Sequence, residues 1–563
     1  MPASLLHLHT YFLFPFSINR EIVVKEHDEQ WKKHQYWMAG LDACVASYQS
    51  PEHSPIIRAL GPWQRAAYKH SDMDSPAYQD MVFFHPFVRR IFFDTGDAWN
   101  QRGQSESLIR CFTIPLGGEK KLWFGAEDLR GRRARVQVTD LRLFLFANGM
   151  GILSIGTEAW NISARDALWI NETLRKIYPS SGRQLREGRA ANRMWFALEA
   201  DGQETLVTEE KFESGQMVGY QPPLSRLITS LIYFLDYSKQ EFEQLLDERM
   251  IIYSYAAVDP SSVPENFRES EDYRILISRF LYVDRDGPDY RYEPEFTRGQ
   301  MREHLYTRWA HEGTYYGFTS YSNISLTLGE WDRGEHVAKE GFLIHRMFDT
   351  RYYLMAIIAL FYRATLLDFA QKTALVSRRL YHDQEAGEFS RENVLIANAL
   401  RAEFLHFSNY WYFDELANKD EEIEHFSLQC RSYRVGAMKA EVEQEIEKLN
   451  ASLHEYYQSR STEAVNRLAM LSMIFGAGAV LTGFFGMNFE REFGEAFFAG
   501  TSKYIWPHYA AIAFVTFIVF GVLAFGVYLV MANPADYRDI LTPRKLRPKR
   551  PPRFRLSRLR RTG

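Results

Sequence analysis

The spacing of apolar residues changes twice along this chain. It opens on MPASLLHLHTYFLFPFSINRE, an alternating, aromatic-rich run that predicts a strand. Residues 136–158, VQVTDLRLFLFANGMGILSIGTE, hold two β-prone runs around Ala147-Asn148-Gly149, a hairpin signal because Asn and Gly accept the positive φ of a tight turn. Residues 161–178 and 224–248 read as helices packed on such a sheet. Prolines are scattered through the first 294 residues, yet none occurs between Pro294 and Pro507. That break marks the passage from an α/β domain, ending near residues 329–334, to long helices.

Helical periodicity dominates from Glu335 onward. Residues 353–367, YLMAIIALFYRATLL, are apolar enough to suggest a membrane span, but the run is short and interrupted by Arg363, so a buried helix is expected. Residues 420–488 show no stop signal, and a helix of that length would reach on the order of 100 Å. Within it Val442, Ile446, Leu449, Leu453 and Tyr456 form a packing seam. Glu441, Glu443, Glu445 and Glu447 fall between them and read as a solvated face.

The second change comes at Arg467. From there to Met487 the chain runs RLAMLSMIFGAGAVLTGFFGM, without a charge after its first residue. About 20 apolar residues at ~1.5 Å each cross the hydrocarbon core of a bilayer. Residues 504–530 are equally uncharged, with Pro507 near the start, where a missing N–H costs a helix little. Two membrane helices joined by a short loop, residues 489–503, are therefore expected. The tail after Tyr537 holds eleven Arg and Lys against one acid. By the positive-inside rule both termini are cytoplasmic and the loop, with Glu490 and Glu495, lies outside.

Composition changes this picture little. The chain has 563 residues, 46% of them apolar, and a net charge of −4 that averages a basic tail with an acidic remainder. Its mean hydropathy of −0.33 is that of a mostly soluble protein. Cys44, Cys111 and Cys430 are widely spaced and odd in number, which suits a reducing compartment and gives neither a disulfide framework nor a zinc spacing. The amino terminus lacks a basic segment and carries His7 and His9 in its apolar part, so no signal peptide is expected. No Gly-rich phosphate loop, HExxH or paired cysteine occurs, and the sixteen histidines are scattered without ligand spacing. His425 and His454 read as surface or interface residues. No enzymatic activity, organic cofactor or nucleic-acid partner is expected.

The tripeptide Gly486-Met487-Asn488 ends the first apolar stretch, inside LTGFFGMNFE, with a second apolar helix, a basic tail and a long acidic helix around it. In this combination the chain resembles the CorA family of divalent-cation channels, over about residues 420–550 and more weakly before. The resemblance implies an α/β cytoplasmic domain (1–334), a helical stalk (335–466), a two-helix transmembrane domain (467–530) and a cytoplasmic tail (531–563), assembled as a funnel-shaped homopentamer in the inner membrane. It further implies that the first membrane helix lines the pore and that Gly486, Met487 and Asn488 form the filter. Mg2+ gives up its water shell reluctantly and prefers oxygen ligands, so a ring of neutral Asn488 amides suits a hydrated ion; an Asn at a helix end is otherwise a C-cap.

Small residues Ala469, Ser472, Gly476, Ala479 and Gly483 recur along one face of the first helix, fitting pore lining or close helix packing. Val465 and Leu468 fall where the family has a hydrophobic constriction. Ala479 stands where family members carry a hydroxyl, and the loop continues Glu490 with REFGEAFF instead of Met-Pro-Glu-Leu. Regulatory divalent ions are expected at the acidic patch around Asp420, Glu421 and Glu422, which alternatively is a solvated helix start. The transported ion is Mg2+ on this reading; zinc or another divalent cation, or a signal-gated effector with a ligand-sensing cytoplasmic domain, are the alternatives.

Overall fold

The computed structural model describes residues 3–27, 34–47, 54–67, 82–94, 108–117, 120–178, 185–186, 190–212, 223–246, 249–285, 292–329, 343–385 and 389–486, with eight residues between 513 and 525. By internal contacts the chain divides into Met1–Leu449 and Asn450–Gly563.

The first unit is built on a mixed sheet, thirteen-stranded among the described residues. Its strands are β1 (Ser4–Ile18), β2 (Gln64–Arg65), β3 (Ile109–Thr113), β4 (Lys121–Glu127), β5 (Arg133–Phe146), β6 (Met150–Ser163) and β7 (Arg193–Ala200). They continue as β8 (Gln203–Lys211), β9 (Phe242–Gln244), β10 (Ile251–Val258), β11 (Leu305–Tyr306), β12 (Tyr315–Phe318) and β13 (Ser322–Leu328). The spatial order is β11-β12-β13-β10-β1-β6-β5-β4-β7-β8, with β10 and β13 parallel.

The opening segment is the central strand β1, between β6 and β10. It is buried almost throughout rather than on alternate residues, because both of its faces are covered, as in strands with helices on either side. Leu8 joins a core shared with Ala167 and Leu168 of α1 (Ala164–Leu174) and Leu276, Ile277 and Phe280 of α2 (Glu271–Tyr282). Thr10 on the same face donates to Asn171 of α1. His7, His9 and Tyr11 point the other way, where Tyr11 meets Tyr353 of the long helix α3 (Tyr353–Glu385). A bulge between Leu5 and His7 sets this phase. The hairpin β5–β6 turns at residues 147–149, with Gly149 at φ 90°.

The apolar run at 353–367 lies in α3 and is a core helix. The helix Ile344–Glu385 is long and apolar enough to span a membrane, but 78% of its apolar window is buried inside the protein. After α4 (Arg391–His406) come α5 (Asp420–Ser432) and α6 (Val435–Gly486).

Two expectations fail. Residues 224–248 are not one helix: Arg226–Leu231 is helical, and β9 then pairs with the end of β1. Between them Asp236 accepts from the backbone N–H and hydroxyl of Ser238, a side-chain turn that replaces helical bonding. Nor do residues 420–486 form one helix. Arg434, at φ 57°, breaks it between α5 and α6, which places Tyr433 in the core under the guanidinium of Arg363.

Candidate functional site

The apolar part of α6 is the first candidate. Its last charges are Glu463 and Arg467, paired at 2.7 Å one turn apart. Beyond them large apolar side chains stand exposed, Leu468 at 55%, Met470 at 64%, Met473 at 73% and Phe475 at 54%. A helix with apolar residues on every side is at home in a medium other than water, or against neighbours. Val465, Leu468, Ser472, Gly476, Ala479 and Gly483 are all exposed, and at about 100° per residue they share a stripe roughly 80° wide.

A Cβ placed on Gly476, Gly478 or Gly483 would meet no atom within 4 Å. Each glycine inside a helix costs about 1 kcal/mol relative to Ala, and no packing among the described residues accounts for it. Thr482 Oγ1 donates to the carbonyls of Gly478 and Ala479 at 2.9 and 3.1 Å, so this hydroxyl bonds its own helix. Gly486 is the last residue of α6; Met487, Asn488, Glu490 and Glu495 lie outside the described residues.

The seam residues Val442, Ile446 and Leu453 are buried, whereas Glu441, Glu445 and Glu447 are exposed. Glu443 pairs with Lys439 at 3.5 Å.

At the start of α5 the acidic residues have distinct surroundings. Asp420 is exposed. Glu421 Oε1 accepts from Trp309 Nε1 at 2.8 Å and Tyr352 OH at 3.2 Å. Glu424 accepts from Tyr306 OH at 2.6 Å and Arg308 at 3.3 Å. Glu422 is buried near Arg351, 3.8 Å away, and burial raises its pKa. His425 follows on the inner face and corrects the surface reading. It is 2% exposed, stacked on Tyr352 at 4.4 Å and edge-on to Phe318 and Tyr316 at 4.6 and 4.9 Å. Burial lowers its pKa to about 3. His454 is exposed.

A second constellation was not visible in residue spacing. His7 and His9 of β1 lie opposite Trp160 and Glu158 of β6, and the helical turn Leu343–Met347 brings His345 over them. One ligand atom from each of His7, His9, Glu158 and His345 lies within 4.8 Å of every other. His9 Nδ1 is 2.8 Å from His345 Nε2 and 3.3 Å from Glu158 Oε1, and His7 Nε2 is 3.8 Å from the same oxygen. His7 and His9 are buried, His7 stacking on Trp160 at 3.7 Å. Burial lowers the pKa of His9 well below the ordinary value and keeps the ring neutral. Burial would by itself raise the pKa of Glu158, but His7, His9 and His345 around it together outweigh burial and lower it.

The backbone after His345 is fixed by the sheet. Phe348–Tyr352 is a π-helical turn, with Tyr11 donating to Asp349, Tyr253 OH to the Phe348 carbonyl at 2.8 Å, and Tyr353 OH to Ser154 at 2.8 Å. Such turns recur at functional sites. The sequence signal was the His7-x-His9 pair, since residues two apart in a strand share a face; nothing local points to Glu158 or His345.

The family model described as CorA-like Mg2+ transporter protein matches residues 414–528, about a fifth of the chain. No curated protein and no solved structure matches it.

Proposed function

We propose that this chain, whose residues 414–528 match the CorA-like Mg2+ transporter family, is a membrane channel passing Mg2+ into the cytoplasm, with α6 lining the pore. The observation that carries this reading is the uncharged end of α6, whose large apolar residues are exposed and where a Cβ on Gly476, Gly478 or Gly483 would meet no atom among the described residues, leading into Gly486-Met487-Asn488. In a ring of five copies the stripe Ser472, Gly476, Ala479 and Gly483 faces the axis, and small side chains leave room for a hydrated ion. The open glycines then serve close approach between helices rather than weakening one helix for nothing.

Each element of the pore has a physical task. Asn488 presents a neutral amide oxygen to the water shell of the ion, which attracts it without holding it. Glu490 and Glu495 raise the cation concentration at the outer mouth. Val465 and Leu468 form an apolar constriction that closes by dewetting. Residues 504–530 form the second, lipid-facing helix, and the basic tail stays in the cytoplasm with the large amino-terminal part. A potential of about 100 mV, negative inside, drives a divalent ion with ~4.6 kcal/mol, so no nucleotide is consumed. Asp420 is the member of the acidic patch free to meet a regulatory Mg2+, because Glu421 and Glu424 already accept hydrogen bonds and Glu422 is buried.

The test is Mg2+ influx into liposomes holding the purified protein, with an inward-negative potential imposed by a K+ gradient and valinomycin. Influx that scales with the potential supports the reading. Influx of Zn2+ with none of Mg2+ would transfer the assignment to a zinc channel, and absence of influx for both ions would remove it.

A further inference from the structure

We propose that His7, His9, Glu158 and His345 form a binding site for a borderline divalent transition-metal ion of the Zn2+ type, which fastens the helix carrying His345 to the central strands β1 and β6. Four donors around a tetrahedral zinc ion lie ~3.4 Å apart, given Zn–N and Zn–O bonds of about 2.0–2.1 Å. The separations of 2.8, 3.3 and 3.8 Å bracket that value, and all four donors converge within 4.8 Å. Small rotations of the side chains about a common centre suffice to bind.

The donor set selects the ion. Three imidazoles and one carboxylate suit zinc and its neighbours among the first-row metals, whereas Mg2+ demands oxygen ligands. The site is therefore chemically distinct from the amide filter and from the acidic start of α5.

The surroundings hold the geometry. His7 and His9 sit on a central strand paired on both sides. The Trp160 indole lies flat against His7, with 7° between the planes. Downstream of His345, the π-helical turn is pinned to the sheet by hydroxyls of Tyr11 and Tyr253. Glu158 and His345 are partly exposed, which gives an ion a way in. The inference does not rest on the transport reading, because bound metal rather than flux is what is measured.

The experiment takes the full chain in detergent, strips it with a chelator, and equilibrates it with Zn2+ in the presence of excess Mg2+, which fills oxygen-rich sites. Metal analysis after gel filtration is expected to find about one tightly held Zn2+ per chain in the wild type, lost in His345→Ala and Glu158→Gln. The thermal midpoint of the wild type should rise on adding Zn2+ and that of the variants should not. If a variant fails to fold, Co2+ bound to the wild type decides: intense visible bands of tetrahedral coordination support the site, and a weak octahedral spectrum overturns it. Equal Zn2+ in wild type and folded variants, or none in the wild type, also overturns it.

Discussion

His425 shows at a single residue how burial sets chemistry. Enclosed by Tyr352, Tyr316 and Phe318, the imidazole has its pKa lowered to about 3 by burial, against about 6.5 in the unfolded chain. Between those values the unfolded state binds a proton that the folded state refuses, so stability is complete above about pH 6.5 and falls as pH drops below it. At about pH 5 the loss from this residue is on the order of 2 kcal/mol. Replacing the ring by another of similar size that cannot be protonated, His425→Phe, should flatten that part of the acid sensitivity. Thermal melts of wild type and variant across this pH range measure the difference, and parallel pH profiles would refute it.

Residue-scale chemistry was also the hardest to read in advance. A histidine on a helix with acidic neighbours looks solvated until the fold places it against β12, and His7, Glu158 and His345 meet only because β1, β6 and the helical turn near 345 are brought together by tertiary structure.

At the scale of elements, patterning read well where local and tertiary demands agree. The turn at 147–149, the opening strand and the buried helix at 353–367 followed from Asn-Gly chemistry, aromatic content and the length of the apolar run. It failed where tertiary contacts prevail: residues 242–244 leave helical periodicity to extend the sheet beside β1, and Arg434 adopts a left-handed conformation, costing about 1–2 kcal/mol, to seat Tyr433 and Val435 in the core. The docking of α5 is itself specific. Glu421→Ala would leave the Trp309 and Tyr352 donors without their acceptor and should cost about 1–3 kcal/mol. Asp420→Asn, at an exposed position, should change stability by less than about 0.5 kcal/mol. Denaturant unfolding of the two variants checks this ordering, and equal stabilities would contradict the docking role.

For the whole molecule the division of labour follows from where apolar surface goes. In the first unit it is consumed by a sheet covered on both faces, including a helix apolar enough to enter a bilayer; in α6 it is left outward. The proposed topology has only residues 489–503 outside. A cysteine introduced at Phe497 should react with an impermeant maleimide applied to intact cells, and one at Arg555 should not; the native Cys44 and Cys111 thiols are themselves pushed up to about 12 by burial and react slowly. The opposite labelling pattern would invert the arrangement.

Transport through a pore selected at Asn488 is tested most directly by Mg2+ flux into liposomes holding matched amounts of wild-type and Asn488→Leu protein, under the same inward-negative potential. On the proposed reading the substitution removes a ring of amide oxygens and leaves the apolar sequence before it unchanged, so insertion and assembly should persist while Mg2+ influx falls to that of empty liposomes. Influx through Asn488→Leu at the wild-type rate would contradict the account.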